Sequence, residues 1–294
     1  RRAASAWFET GMSPFGEVIG DPVVQSKSPA IHRFWLEKLG LPGDYRAYTL
    51  SSAELERYFA QRRSDEGWQG CNITMPLKRA VAPFLDTVSR SASRVGAVNT
   101  VYRQGSRLVG ENTDGEGFLE PLQPLLDRPH LFRMVRLLGT GGAARAIAAA
   151  LAEQGFTLVV AGRSAAKARA MIDAVAPHGT HHACAFSNFT DHTDFAFDDR
   201  DGLLDLVVNA TPLGMMGQPP LDFDFSHAPP GSIVYDIVTA PVETDFLRRA
   251  RDAGFDTIDG LAMLIGQAAI AFRLFYDEEP PRAHDEELRA VLMR

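Results

Sequence analysis

Four short segments carry the side chains that could bind a small polar molecule. In Gly70-Cys71-Asn72-Ile73-Thr74-Met75-Pro76-Leu77-Lys78 the two-residue period of a strand puts Asn72 and Thr74 on one face, with Lys78 just past the proline turn. Gly96-Ala97-Val98-Asn99-Thr100 and Glu111-Asn112-Thr113-Asp114-Gly115 set isolated polar residues beside small ones, and Ser26-Lys27-Ser28-Pro29 puts two hydroxyls at a helix N-terminus. Taken singly, each has a plainer role: Ser28 as a helix cap, Asn99 and Asn112 as turn residues, Lys78 as a solvated lysine, Asp114 as a loop residue. Their joint occurrence points to one shared pocket.

A second constellation suits a dinucleotide. Gly139-Thr140-Gly141-Gly142-Ala143-Ala144 fits G-x-G-x-x-A between a strand and a helix, where small residues allow a tight turn and the approach of a pyrophosphate to the helix N-terminus. The next strand ends in Gly162-Arg163-Ser164, with Lys167 one turn on and no acid to take a ribose 2′-hydroxyl. Arg163 can fork onto a 2′-phosphate, Ser164 can offer a hydroxyl and cap the helix, and Lys167 adds charge, so NADP is favoured over NAD. The alternative is a solvated basic helix start.

The elements that must position these residues alternate between strand and helix. Strands are expected at Gly16–Ile19, Tyr45–Thr49 and Gly70–Thr74, with helices from Ser28, from Ser52 and near Lys78. Ser28 is read as the first helix's cap, with Ile31, Phe34, Trp35 and Leu39 on its buried face and Gly40 as its stop. From Met134 a strand, the glycine turn, an Ala-rich helix to Gln154 and a strand Thr157–Ala161 form one βαβ unit. Further strands at Leu204–Val208, Ser232–Ile237 and Asp256–Ile258 argue for a parallel sheet covered on both faces. Leu261–Tyr276 reads as an apolar helix able to pack back on the first unit, followed by a helical tail, and His178–His192 reads as a surface loop. The expectation is a two-domain α/β chain: a substrate domain of residues 1–116 and 262–294 around a Rossmann domain of 117–261, with the site where they meet.

Composition excludes other classes. Thirty Lys and Arg against 37 Asp and Glu give a net charge of −7, so no positive field is available to recruit nucleic acid or anionic lipid. With 45% hydrophobic and 23% charged residues the chain has the make-up of a folded globule, and no apolar run reaches the ~18 residues of a membrane span. The opening Arg1-Arg2 lacks the apolar region of a signal peptide, and two cysteines, Cys71 and Cys184, suit a reducing compartment, so a cytoplasmic location is expected. His178, His181, His182 and Cys184 sit in a loop-like setting, and no metal is expected.

These segments together resemble the shikimate dehydrogenase family over about Gly16 to Phe275. Its motifs stand in order: S-x-S-P-x-x-H as Ser26–His32, G-x-N-[VI]-T-x-P-x-K as Gly70–Lys78, G-A-x-N-T as Gly96–Thr100 and N-T-D-G as Asn112–Gly115. The G-x-G-G-A turn, N-A-T-P-x-G-M as Asn209–Met215 and D-G-x-x-M-L-x-x-Q-A as Asp259–Ala268 follow. The resemblance implies NADPH-dependent reduction of 3-dehydroshikimate to shikimate, on the route to chorismate and the aromatic amino acids, by a monomer or homodimer. It implies Lys78 as acid/base catalyst with Asp114 as its partner, and Ser26, Ser28, Asn72, Thr74, Asn99, Gln267 and the Thr239 position as substrate contacts. It gives Gly139, Thr140, Gly141, Gly142, Ala143, Gly162, Arg163, Ser164, Lys167, Ile237 and Gly260 to the cofactor. Two positions depart from the pattern: Gln25 replaces a histidine, and Asp236-Ile237-Val238-Thr239 replaces D-x-x-Y, exchanging a phenol for a shorter hydroxyl. The second leaves open a quinate/shikimate dehydrogenase or a slow paralogue. A non-catalytic NADP-binding regulator is the rival from another class, and retention of Lys78 and Asp114 speaks against it.

Overall fold

The computed structural model describes residues 13–195, 197 and 202–293, and these divide into two compact units. The first holds the chain up to Thr113 and again from Ile265; the second is the continuous stretch Asp114–Leu264. Two mixed α/β layers of six strands each result, one per unit.

In the first unit the elements are β1 (Phe15–Gly20), α1 (Ser28–Leu39), β2 (Asp44–Thr49), α2 (Leu55–Ser64), β3 (Trp68–Ile73), β4 (Thr87–Val88), α3 (Arg90–Val95), β5 (Thr100–Gln104) and β6 (Arg107–Glu111). The sheet order is β2-β1-β3-β5-β6-β4, with β2, β1 and β3 parallel and an antiparallel β5–β6 hairpin. That hairpin was not anticipated; it turns through Gly105, whose φ of 62° is a left-handed conformation natural to glycine. Nor is there a helix at Lys78. A single 3₁₀ turn, Leu77–Arg79, stands there, anchored by buried Leu77 and followed by a second short turn from Ala82.

Helix α1 ends at Gly40, in the left-handed conformation with φ 62°, as expected. Its start and its buried face differ. Ser28 is the first helical residue rather than the cap, and the buried stripe is Ile31, His32, Trp35 and Leu36, leaving Leu39 exposed. The rotation brings His32 onto the Tyr45 ring, 4.1 Å between centroids, and both into an aromatic cluster with Trp35, Phe272, Phe275 and Tyr276. The C-terminal segment thus packs back on the first sheet. Its approach is close: a Cβ on Gly70 would lie 2.4 Å from the Phe275 ring.

The second unit runs α4 (Asp114–Leu119), α5 (Gln123–Leu126), β7 (Phe132–Leu138), α6 (Gly142–Glu153), β8 (Thr157–Gly162), α7 (Ala165–Val175), β9 (His182–Ala185), β10 (Leu203–Asn209), β11 (Ile233–Asp236), α8 (Asp245–Asp252) and β12 (Asp256–Ile258). Helix α9 (Gly260–Tyr276) starts in this unit and continues into the first, where α10 (Asp285–Leu292) follows. The sheet is wholly parallel in the order β12-β11-β10-β7-β8-β9, the doubly wound Rossmann arrangement with its switch point between β7 and β10. Ala144, Ala146, Ala148, Ala149 and Ala150 of α6 are buried together with Ile147 and Leu151, and their small size lets the helix lie close to its neighbours. The stretch His178–His192 is not all loop. It supplies the edge strand β9, and His181 Nδ1 accepts the Leu158 N–H at 3.1 Å, a structural use of the ring.

Candidate active site

Each unit carries its own group of candidate residues. In the first, Asn72 and Asn99 are buried and bonded into one cluster through Thr100 and Thr113. Asn72, at the end of β3, accepts the Tyr45 hydroxyl on Oδ1 at 2.6 Å and donates from Nδ2 to Thr100 Oγ1 at 3.0 Å. Asn99 accepts the Thr100 hydroxyl at 3.0 Å and the Thr113 N–H at 2.8 Å, and donates to Thr113 Oγ1 at 2.9 Å. The Thr113 hydroxyl in turn lies 3.5 Å from Gln267 Oε1 on α9. Asn112 is no simple turn residue either, since its buried amide donates to the Ala97 carbonyl at 2.8 Å. Low dielectric strengthens such a chain of bonds and fixes every amide in it.

The remaining candidates of this unit stand outside that chain of bonds. Ser26 Oγ accepts the Ser28 N–H at 3.3 Å, so Ser26 and not Ser28 satisfies an orphan donor at the start of α1. Thr74 follows β3 directly, and its methyl occupies the space of a Gly20 side chain, 2.4 Å from where that Cβ would be. Lys78 is half-buried on the 3₁₀ turn, which is tied down by the Val98 N–H bonding the Lys78 carbonyl at 2.7 Å. His32 is a packing ring: burial lowers its pKa to about 3, so it stays neutral beneath Tyr45. Tyr45, Thr100 and Thr113 were missed as members of this cluster. The two threonines directly follow Asn99 and Asn112 in their motifs and are visible there, whereas Tyr45 meets a partner 27 residues away and leaves no local signal.

The second unit holds the glycine turn between β7 and α6. Gly139 has φ 127°, and a Cβ there would lie 2.6 Å from the Ala210 carbonyl oxygen, so backbone and packing both demand glycine. Gly141 differs: its φ of −78° is open to any residue and a Cβ would meet nothing within 4 Å. Neither strain nor crowding explains that glycine, and clear space over the N-terminus of α6 is what a pyrophosphate needs. Gly142 begins α6 with Ala143 behind it, and Thr140 packs its methyl against Gly162, 3.0 Å from a Cβ there. Arg163 and Lys167 are exposed beyond the end of β8. Ser164 stands at the cap position of α7 but makes no side-chain capping bond, contrary to expectation. The donor set therefore fits a 2′-phosphorylated dinucleotide.

Also in this unit, Asp114 is buried as the first residue of α4, and Gly115 lets that helix abut α6, a Cβ there falling 3.1 Å from Ala150 Cβ. Ile237, Val238 and Thr239 form the loop after β11, with Ile237 and Thr239 half-buried. Asp236 Oδ1 accepts Asn209 Nδ2 and the Val238 N–H, each at 3.0 Å, and its Oδ2 accepts the Thr244 hydroxyl at 2.6 Å. Burial raises this carboxyl to a pKa of about 6, against the lowering effect of those donors. Among the described residues no group of three or more His, Cys, Asp or Glu could hold a metal.

A doubly wound sheet with this glycine turn, joined in one chain to a buried amide and hydroxyl cluster beside a lysine, defines a two-domain dinucleotide-dependent oxidoreductase. Residues 18–101 match the family described as shikimate dehydrogenase substrate binding domain. The chain belongs to the shikimate dehydrogenase family: it is 45% identical over 284 residues to the shikimate dehydrogenase (NADP(+)) of Sphingopyxis alaskensis, covering 96% of this chain and 97% of that one. Among solved structures it is similar to shikimate 5-dehydrogenase from Thermus thermophilus in complex with NADP(H) and shikimate, with TM-score 0.78 and 35% identity over 95% of this chain and 99% of the other. It is also similar to quinate dehydrogenase from Corynebacterium glutamicum in complex with NAD, with TM-score 0.75 and 30% identity over the same shares.

Proposed function

We infer that this protein is an NADP-dependent shikimate dehydrogenase, reducing 3-dehydroshikimate to shikimate and running the reverse oxidation. The observation that carries the reading is 45% identity over 96% of the chain to a shikimate dehydrogenase (NADP(+)), on a chain that keeps both Lys78 and Asp114. NADPH, when bound, supplies a hydride to the ketone carbon. Gly139, Thr140, Gly141, Gly142 and Ala143 take its pyrophosphate at the start of α6, Arg163, Ser164 and Lys167 take the 2′-phosphate, and Ile237 and Gly260 line the nicotinamide end. The Lys78 ammonium stabilises the alkoxide that forms and gives it a proton, and in the oxidation the neutral amine takes the proton back. Asp114 is the carboxylate paired with it in this role. Ser26, Ser28, Asn72, Thr74, Asn99 and Gln267 bind the carboxylate and ring hydroxyls, rigid because the amides are already fixed by the buried cluster.

A second reading is favoured by Thr239, which stands where the family pattern has tyrosine: dehydrogenation of quinate as well as shikimate, quinate carrying one more ring hydroxyl. An assay panel crossing shikimate and quinate with NADP and NAD decides between them. Shikimate with NADP is expected to give the highest kcat/KM; a higher value for quinate, or for NAD, overturns the first reading. Its two cysteines, both free thiols, suit a reducing compartment and support a cytoplasmic enzyme, and the reading takes it to work as a monomer or homodimer.

A further inference from the structure

The second unit spends an unusual amount of polar chemistry on three residues of loop. Asp236 and Asn209 end the neighbouring strands β11 and β10 in register, and both are wholly buried. Asp236 gathers donors from three places: the Asn209 amide on β10, the Val238 N–H of the loop itself, and the Thr244 hydroxyl, which also caps α8 by accepting the Leu247 N–H. Asn209 braces the other side of the same junction, its carbonyl accepting the Ile237 N–H at 3.1 Å and its side chain holding Thr211 and Leu213. From the opposite direction Gly260 presses on the loop so closely that a Cβ would lie 2.3 Å from the Val238 carbonyl oxygen and 2.7 Å from that of Ile237.

Stability alone does not call for a carboxylate here. A buried ionised group is costly, and apolar residues of like volume fill such a space at least as well. What a carboxylate offers is two oxygens that only accept, enough for three donors on three separate elements, whereas an amide turns one end into a donor. The loop so fixed lies at the carboxyl ends of the parallel strands, the side on which such sheets bind ligand.

We infer that Asp236 is a positioning residue of the reaction, its carboxylate holding Ile237–Thr239 in the conformation that presents the loop to the nicotinamide end of the cofactor and to the substrate. This rests on the roles proposed above for Ile237 and Thr239. Asp236 touches neither ligand and acts through the loop.

The test separates the loop from the rest of the unit by using adenosine 2′,5′-bisphosphate, which reports only the glycine turn and the Arg163 region. In Asp236→Ala its affinity is expected to stay within about twofold of wild type, while NADPH affinity, read by its fluorescence without substrate, falls about fivefold and the shikimate KM rises about tenfold. Asp236→Asn, which keeps the shape and the oxygen that accepts Asn209 and Val238 but turns a donor toward Thr244, should fall between wild type and Asp236→Ala in both readouts. If Asp236→Ala does not fold, Thr244→Val removes the bond to Oδ2 from outside the loop and should raise the shikimate KM and weaken NADPH about threefold, with the bisphosphate again unaffected. Unchanged NADPH affinity and KM, or losses that match a loss of bisphosphate binding, overturn the assignment. The fluorescence readout needs no turnover, so a wild type inactive on shikimate would strike the proposed reaction and leave this test standing.

Discussion

At the scale of single residues, function rests on groups whose surroundings are already organised. Lys78 rides on a turn anchored by Leu77 and by the Val98 bond, so removing its side chain leaves the backbone undisturbed. Lys78→Ala is expected to lower kcat about 100-fold or more with an unchanged melting temperature, the usual loss for a general acid/base. A kcat near wild type in steady-state assays would remove Lys78 from the chemistry. Thr239→Tyr should lower the shikimate KM several-fold, on the order of one restored hydrogen bond, and depress any quinate turnover. Equal constants for both proteins on both substrates would place position 239 away from the substrate. Asp236 gives a pH signature of its own. Its folded pKa of about 6 exceeds the ordinary 3.8, so the folded state binds this proton more tightly, and the resulting stabilisation is full below 3.8 and lost as pH rises through about 6. Relative to wild type, Asp236→Asn should therefore gain about 2 to 3 kcal/mol of unfolding free energy between pH 4 and pH 7 in urea titrations. A constant difference across that range would contradict the burial cost.

Among the elements, the glycine turn and the Rossmann strands were legible because parallel strands buried on both faces read as unbroken apolar runs and the turn has fixed spacing. The β5–β6 hairpin was overlooked, since Thr100–Gln104 and Arg107–Glu111 mix charge with apolar residues, and Gly105 was the one local sign of a reversal. The face of α1 differs from the expected Ile31, Phe34, Trp35 and Leu39 because an aromatic cluster drawn from the other end of the chain buries His32, a contact with no local sign in the sequence. Likewise the order of the cluster around Asn72 and Asn99 depends on pairings across strands that spacing does not reveal. The turn itself allows a contrast between two nearby glycines. Gly139→Ala should cost about 2 kcal/mol or more of stability from its φ of 127° and the Ala210 carbonyl at 2.6 Å. Gly141→Ala should leave stability within about 0.5 kcal/mol yet raise the NADP KM about tenfold, because the new methyl fills only the ligand's space. A Gly141→Ala enzyme with normal NADP KM would show that the open space at that turn is not used.

Over the whole molecule, one unit is continuous in sequence and the other is not. The segment from Ile265 supplies Phe272, Phe275 and Tyr276 to the cluster around His32 and Tyr45, so the first unit lacks part of its core without it. Residues 114–264 produced alone are expected to unfold cooperatively and to bind adenosine 2′,5′-bisphosphate, whereas residues 1–113 alone should show no cooperative transition until 265–294 are added. Cooperative melting of the isolated N-terminal fragment, followed by circular dichroism, would refute this. The same division orders events at the ribosome. The N-terminal third emerges first but must wait, its apolar faces uncovered, while the whole central unit is synthesised and able to fold. Only when the segment from Ile265 onward leaves the exit tunnel can the early strands finish, which makes the nascent N-terminal segment the stretch most in need of a chaperone, and a product terminated just after Leu264 a nucleotide binder whose first unit is left incomplete.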